Sequence, residues 1–107
     1  MIIAVIADIH ANLPALRAVL KHARAAGAGS IWNVGDHLGY GPFPAEVVDA
    51  LQKKRFVNIL GNYDAKVLRV PEKGHERKSN RCKLRELAFA WAYENLTSAQ
   101  RSYLQSL

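Results

Sequence analysis

Side chains that can bind a metal ion follow three separate apolar runs of this 107-residue chain. Asp8 and His10 stand just beyond the first run, Asp36 stands beyond the second, and Asn62 and Asp64 stand beyond the third. Carboxylate, imidazole and carboxamide groups together form a mixed set of oxygen and nitrogen donors. Such a set suits Mn, Fe, Zn or Co better than it suits a closed structural zinc cage. The residue types therefore predict a divalent-metal site, if the fold brings them together.

The three apolar runs have the length and the β-branched content of strands. They cover residues 2–7, 30–34 and 56–60. Between them, Asn12 is a good N-cap for a first helix that ends at Gly27, and Pro44 opens a second helix.

Beyond the third strand the pattern changes to helices. Asp64 is predicted to cap a short helix, and residues 83–95 are predicted to form an amphipathic helix. The sequence T-S-A-Q at 97–100 has the form of a capping box, which predicts a last helix that runs to the end of the chain.

Alternating strands and helices predict the α/β class, here a three-stranded parallel βαβαβ core with C-terminal helices. In a parallel sheet the carboxyl ends of all strands lie at one edge, where ligands bind. This topology would gather the metal-binding side chains. Gly35 and Gly61 immediately precede Asp36 and Asn62. A residue without a Cβ lets the backbone turn sharply there or approach an ion closely.

Each short motif also has an ordinary structural interpretation. D-x-H is common in polar loops, G-D-H-L-G-Y-G-P has the composition of a Gly and Pro turn, and G-N-Y-D resembles any tight turn. A turn requires Gly, Asn or Asp, but it does not require a histidine at residue 10 or the same sheet edge each time. The joint occurrence of the motifs at three successive strand ends therefore favours a functional site.

These motifs resemble those of the calcineurin-like metallophosphoesterases, whose pattern runs D-x-H, then G-D, then G-N-H-D or G-N-H-E. The matching residues here are Asp8-Ile9-His10, Gly35-Asp36 with Gly41-Pro42, and Gly61-Asn62-Tyr63-Asp64. The stretch A-N-L-P-A-L-R-A-V-L is also similar to small bacterial phosphodiesterases of that family. The resemblance implies the first half of an α/β/β/α sandwich and hydrolysis of a phosphoester substrate.

The resemblance also implies a metal role for four residues. Asp8 and His10 would bind one divalent ion, Asp36 would bridge two ions, and Asn62 would bind the second. The candidate ions are Mn, Fe, Zn, Co and Ni. Two ions at roughly 3.5 to 4 Å activate water and neutralise the charge on the phosphoryl oxygens.

Tyr63 and Asp64 complete the third motif and are the expected catalytic residues. Tyr63 stands where the family usually has a histidine that protonates the leaving group or stabilises the transition state. A tyrosine hydroxyl ordinarily has a pKa of about 10 and is a weaker acid than an imidazolium, so slower catalysis is expected.

The family pattern continues into a second set of strands with further metal-binding histidines, including a late G-H-x-H that these 107 residues do not contain. We therefore expect residues 1–107 to form a single, incomplete metallophosphoesterase-like domain. Two functions remain as alternatives. One is a metal-dependent phosphodiesterase or phosphatase. The other is a non-catalytic module that binds metal, phosphate ligands or a protein partner.

Three further histidines are not assigned to metal. His37 directly follows Asp36 and is the candidate for contact with the substrate. His22 falls within the first predicted helix, on its expected solvent face. His75 lies in the polar stretch K-G-H-E-R-K and is expected to be an exposed loop residue.

The positive charge of the chain is concentrated in one segment. The formal net charge is +6, and residues 66–85 carry all of the excess. This segment has no aromatic residue for base stacking, so a nucleic-acid partner is not expected. No apolar run approaches the roughly 20 residues that span a bilayer. The single cysteine, Cys82, and the lack of a signal-peptide pattern favour a cytoplasmic location.

The three predicted strands are apolar enough to be covered on both faces. In the family, a second sheet packs face to face on this one. We therefore expect these residues to leave one face or edge of the sheet open to water, and we expect a homodimer to form by covering it.

Overall fold

The computed structural model describes residues 1–73 and 80–107. A three-stranded parallel sheet has the strand order β1-β2-β3, formed by β1 (Ile2–Ile6), β2 (Ala28–Asn33) and β3 (Phe56–Asn58). Two helices connect the strands, α1 (Leu13–Ala25) and α2 (Pro44–Leu51). Four helices follow the sheet, α3 (Asn62–Leu68), α4 (Val70–Lys73), α5 (Asn80–Glu94) and α6 (Ser98–Gln105). The predicted α/β class and its parallel core are confirmed.

Several predicted boundaries were inexact. β2 begins at Ala28, two residues earlier than predicted, because Ala28 pairs with Ile2 of β1. β3 ends at Asn58, two residues earlier than predicted, and the Ile59 N–H beyond it still donates to the Asn33 carbonyl of β2 at 3.1 Å. Asp64 is not the cap of α3: Gly61 is the N-cap, and Asp64 is the third residue of the helix. The short helix α4 was not predicted.

The ends of α1 and α6 confirm the capping residues predicted for these two helices. Asn12 Oδ1 accepts a hydrogen bond from the Ala15 N–H at 3.1 Å and caps α1. Gly27 follows the end of this helix with a φ of 83°, which a residue without Cβ adopts readily. At α6, Thr97 Oγ1 accepts from the Gln100 N–H, and Gln100 Oε1 accepts from the Thr97 N–H, which is the predicted capping box.

Two apolar clusters hold the elements together. The first lies between the inner face of the sheet and the connecting helices α1 and α2, and it includes Ile6, Leu16, Ile31, Val47 and Phe56. The second joins α3, α5 and α6 to the loop after β2 and to α2, and it includes Leu38, Val48, Val67, Phe89 and Leu104. The second cluster fixes α3, which begins at the third motif, against the loop that carries the second motif.

The other face of the sheet is apolar and exposed. Val5, Trp32 and Val57 pair in register across the three strands and are 64%, 48% and 55% exposed. Val34 and Ile59, which follow β2 and β3, are 49% and 53% exposed. The expectation that these residues leave one sheet face open to water is confirmed.

A search of the helices within residues 1–73 and 80–107 finds none that is both long and apolar enough to cross a membrane. His75 and part of the basic segment lie outside the described residues.

Candidate functional site

The loops after β1 and β2 run side by side because their backbones continue the hydrogen-bond pattern of the sheet. The Asp8 N–H donates to the Gly35 carbonyl at 3.1 Å, and the His10 N–H donates to the Asp36 carbonyl at 3.0 Å. The Ala11 N–H donates to the next carbonyl along the loop at 2.7 Å. These bonds place the first and second motifs next to each other, as the parallel topology predicted.

The backbone of both loops is strained at the motif residues. Asp8, His10, Ala11 and Asp36 have φ values of 57°, 48°, 56° and 58°, in the left-handed region that L-residues rarely adopt. Such a conformation costs of the order of 1 kcal/mol or more per residue and persists only where the surroundings impose it. Three of the four strained residues are predicted metal ligands, so the strain accompanies the placement of these side chains.

Asp8, His10 and Asp36 form a cluster that can hold a metal ion. One donor atom from each side chain lies within 4.8 Å of the other two. The carboxylate of Asp8 is 68% exposed and lies 3.7 Å from Nε2 of His10, whose side chain is 22% exposed. The structure therefore brings together three of the four predicted ligands at the carboxyl ends of the strands. The cluster is partly exposed there, so an ion can reach it from solvent.

The orientation of His10 suits metal binding. Its Nδ1 lies 2.8 Å from the Leu38 carbonyl oxygen, and a carbonyl oxygen can only accept. Nδ1 therefore carries the hydrogen, which leaves the lone pair on Nε2, the nitrogen that faces Asp8. A backbone acceptor that fixes the tautomer of a histidine in this way is typical of metal-binding imidazoles.

The third motif meets the second at the carboxylate of Asp36. Its Oδ1 accepts a hydrogen bond from the Tyr63 N–H at 2.9 Å. With the Asn62 amide oriented to satisfy its neighbours, its NH₂ donates to both oxygens of Asp36, at 3.0 and 3.1 Å. Asn62 therefore lies beside the predicted bridging carboxylate, and rotation of its amide by half a turn would present its oxygen there instead.

Glycines allow the second and third motifs to approach this closely. A Cβ built on Gly35, whose φ is 112°, would stand 2.7 Å from the Cα of Gly61. A Cβ on Gly61 would overlap the backbone nitrogen and Oδ1 of Asp36 and stand 2.9 Å from its Cα. The sequence predicted a sharp turn or a close approach to an ion at these glycines, and the structure shows that they allow one loop to approach the other.

Two tyrosines and the metal-binding histidine form an aromatic group beside the cluster. The ring of His10 lies 5.1 Å from the ring of Tyr40 and 5.1 Å from that of Tyr63. The two tyrosine hydroxyls are 2.5 Å apart and hydrogen-bonded. This bond with Tyr63, followed by desolvation, raises the pKa of Tyr40 above its ordinary value of 10.0, so its hydroxyl keeps its proton at neutral pH.

Asp64 lies in the interior and ties the second and third motifs together. Its side chain has no exposed surface. Oδ1 accepts a hydrogen bond from the Leu38 N–H, and Oδ2 accepts one from the Gly61 N–H, both at 2.9 Å. Both oxygens thus accept hydrogen bonds from backbone N–H groups of the two loops. Asp64 therefore holds the second and third motifs in position relative to each other.

His37 is also buried, and both of its ring nitrogens have protein partners. Nδ1 accepts from the Asn33 side-chain amide at 2.8 Å, and Nε2 donates to the Ile59 carbonyl at 3.0 Å. The Asp64 carboxylate lies 3.6 Å from Nε2. The structure thus places His37 between β2 and the segment after β3, behind the motif loops, while His22 is exposed on α1 as expected.

Tyr40 and the carbonyl of Leu38 were not identified from the sequence. Both belong to the stretch G-D-H-L-G-Y-G-P, whose composition is that of a turn. The signal that could have pointed to Tyr40 is the pair of glycines on either side of it, since a large aromatic residue between two glycines is often held close to other backbone.

The donor set fits a divalent cation. Two carboxylates, one imidazole with a free Nε2 lone pair and one carboxamide converge at a partly exposed point, and each is a usual ligand of such ions. At such a point a divalent ion can act as a Lewis acid on a phosphate oxygen or on water.

The sequence and the fold of this chain match those of a known family. The model of the calcineurin-like phosphoesterases matches residues 1–104, and the chain belongs to this family. Its members are phosphoesterases, so hydrolysis of phosphoesters is the general chemistry of the family, and the resemblance noted in the sequence is confirmed.

Two longer proteins show how the chain relates to that family. An uncharacterized protein of Methanocaldococcus jannaschii is 35% identical over 105 residues, which are 98% of this chain and 41% of that protein. The crystal structure of a metallophosphoesterase from Sphaerobacter thermophilus has 34% sequence identity and a TM-score of 0.74, and the match covers 98% of this chain and 40% of that one. The chain thus spans about two fifths of the length of these relatives.

Proposed function

We propose that this chain carries the first part of a binuclear metal site at which a phosphodiester or phosphomonoester is hydrolysed. The observation that supports this most directly is the convergence of Asp8, His10 and Asp36, with one donor atom of each within 4.8 Å of the others. Membership of the calcineurin-like phosphoesterases supplies the reaction class.

In this proposal Asp8 and His10 hold one divalent ion, Asp36 bridges it to a second ion, and Asn62 contributes to the second. Mn, Fe, Zn, Co and Ni all suit such a donor set. The ions, when bound, supply Lewis-acid activation of water and charge neutralisation at the phosphoryl group. With the Asn62 amide turned so that its oxygen faces the second ion, Asp36 keeps only the hydrogen bond from Tyr63 to Oδ1, and both of its oxygens have lone pairs left for bridging.

The remaining motif residues take different roles. Tyr63 lies beside His10 with its backbone held on Asp36, and we assign its hydroxyl the role of donating a hydrogen bond to the leaving-group oxygen. Asp64 and His37 hold the loops. Their buried side chains bond to protein atoms and have no exposed surface with which to contact a substrate.

Calorimetric titration with Mn²⁺ tests the proposal. Replacement of Asp36 by Asn removes the bridging charge, and we expect Asp36→Asn to abolish tight Mn²⁺ binding. It should also abolish Mn²⁺-dependent hydrolysis of bis(p-nitrophenyl) phosphate. Asp49→Asn is the matched control, because Asp49 lies on α2 and bonds to Gln100 at 2.7 Å, away from the cluster. Unchanged Mn²⁺ affinity in Asp36→Asn would refute the metal site.

We also propose that this chain forms a homodimer through the exposed face of its sheet. The row of Val5, Trp32 and Val57 is uncharged and continues into Val34 and Ile59. A second copy presents the same flat apolar face, which two-fold symmetry makes self-complementary. Burying it stabilises the pair by about 25 cal/mol for each Å² of apolar surface. In a longer protein, further strands of the same chain would occupy this face and exclude the second copy.

A further inference from the structure

Tyr40 is an exposed aromatic residue held at the edge of the metal-binding cluster. Its side chain is 62% exposed, yet its ring lies 5.1 Å from that of His10 and 5.3 Å from that of Tyr63. Its hydroxyl is hydrogen-bonded to the Tyr63 hydroxyl at 2.5 Å. Solvent exposure of a tyrosine needs no explanation by itself, but a short hydrogen bond to the predicted catalytic hydroxyl does.

The loop that carries Tyr40 is pressed onto the first motif by the glycines on either side. Gly39 has a φ of 133°, and a Cβ there would stand 3.1 Å from Cδ2 of Tyr63 and 3.2 Å from Nδ1 of His10. A Cβ on Gly41 would stand 2.5 Å from the carbonyl oxygen of His10, and the Gly41 N–H donates to that oxygen at 2.6 Å. The position of Tyr40 is therefore imposed by backbone packing on both sides of it.

Tyr63 is the fixed partner of the pair. Its N–H donates to Asp36 Oδ1 at 2.9 Å, and its ring packs against Phe89 at 5.4 Å. Lys66 Nζ lies over the face of the same ring, 5.1 Å from its centre, and makes a cation–π contact with it. With Tyr63 held on three sides, the direction of its hydroxyl depends on what bonds to it.

One hydrogen bond uses only one of the two phenolic hydrogens. Within residues 1–72 and 84–107, each hydroxyl has the other as its only hydrogen-bond partner. Either hydroxyl can donate in this bond, and the other then accepts. When Tyr40 is the donor, the hydrogen of Tyr63 has no acceptor among these residues and can donate to a bound anion.

We propose that Tyr40 is a positioning residue whose hydroxyl bonds to that of Tyr63 and directs the Tyr63 hydrogen toward an oxygen of a phosphoryl group bound at Asp8, His10 and Asp36. This inference rests on the proposed function and deepens it, because it adds a hydrogen-bond donor for the phosphoryl group to the predicted metal ligands. The ligand is a phosphate oxygen, in an ester or in inorganic phosphate. Hydrogen bonds to a charged acceptor are the stronger ones, so losing the correct orientation should be measurable.

Calorimetric titration of the Mn²⁺-loaded protein with inorganic phosphate tests this role without requiring turnover. We expect Tyr40→Phe and Tyr63→Phe each to weaken phosphate binding about tenfold. The double variant should bind no more weakly than Tyr63→Phe alone, because Tyr40 acts through Tyr63. Tyr103→Phe is the matched control. It removes a hydroxyl that lies 2.7 Å from the Asn58 amide nitrogen, away from the cluster, and should leave phosphate affinity unchanged.

The results distinguish failure of the Tyr40 role from failure of the proposed metal site. Tyr40 is largely exposed, so Tyr40→Phe should fold, and its Mn²⁺ affinity should match that of Tyr103→Phe. With Mn²⁺ bound, unchanged phosphate affinity in Tyr40→Phe would overturn the inference. Fully additive losses in the double variant would also overturn it, since they indicate two independent contacts. Absence of Mn²⁺ binding by the unaltered chain would instead refute the proposed function, and the inference with it.

Discussion

Substitution of Gly61 by alanine should disrupt the metal site through a single methyl group. The new Cβ would overlap the backbone nitrogen and Oδ1 of Asp36 and would lie 2.9 Å from its Cα. Real Cβ atoms are not found this close to other atoms. Ordinary van der Waals contact begins at 3.4 Å. The two loops would therefore have to separate by about 1 Å, because the overlapped backbone atom cannot rotate away as the end of a side chain can.

The size of the effect follows from this displacement. Overpacking of this kind costs about 1–3 kcal/mol of folding free energy. At this chain length the thermal midpoint should fall by roughly 5–20 °C. Moving the Asp36 carboxylate out of place should lower Mn²⁺ affinity by about 10- to 100-fold, as loss of a supporting contact around a metal does. The φ of Gly61 is −87°, which alanine adopts freely, so the loss comes from the contact and not from backbone strain.

Calorimetry with Mn²⁺ and thermal unfolding measure both quantities. Gly29→Ala is the matched control, because it makes the same change in β2 at a position where a Cβ meets nothing within 4 Å. We expect Gly29→Ala to keep the Mn²⁺ affinity of the unaltered chain. Gly61→Ala could instead match this control in Mn²⁺ affinity and in thermal midpoint. That result would refute the idea that packing of the third motif onto Asp36 positions its carboxylate.

Three further predictions concern the leaving group, the interior and the sheet face. Tyr63→His should raise Mn²⁺-dependent hydrolysis of diphenyl phosphate more than that of bis(p-nitrophenyl) phosphate, because only the poorer leaving group needs a proton; equal gains would count against a donor role. His37→Leu should lower the free energy of unfolding in urea by about 1–3 kcal/mol, since the Asn33 amide loses its buried acceptor; a loss no larger than that of the exposed control His22→Leu would contradict this. Light scattering should give twice the monomer mass of 11.9 kDa, and Trp32→Lys should halve it; a monomeric unaltered chain at micromolar concentration would exclude the dimer.

The sequence alone was sufficient for the order of the three strands and their two connecting helices, and for the sheet edge at which the candidate ligands lie. Strand and helix periodicity depend on local residue patterns, and the edge at which parallel strands end follows from topology. Asp8, Asp36 and Asn62 could therefore be assigned to one edge from the sequence. The capping residues Asn12 and Thr97 were equally local, because a cap bonds to a backbone group within three residues.

Only the tertiary structure decided how the loops pack on one another. His37 follows a predicted ligand and looked like a residue that meets substrate, yet its nitrogens bond to Asn33 and Ile59, and the second of these partners is 22 residues away. The partner of Tyr40 is 23 residues away, and the atoms that require Gly61 to be glycine belong to Asp36. No local pattern encodes such contacts, because which loop reaches which depends on how the helices and strands pack. The sequence thus determined which residues reach the sheet edge, and the packing determined which of them face solvent there.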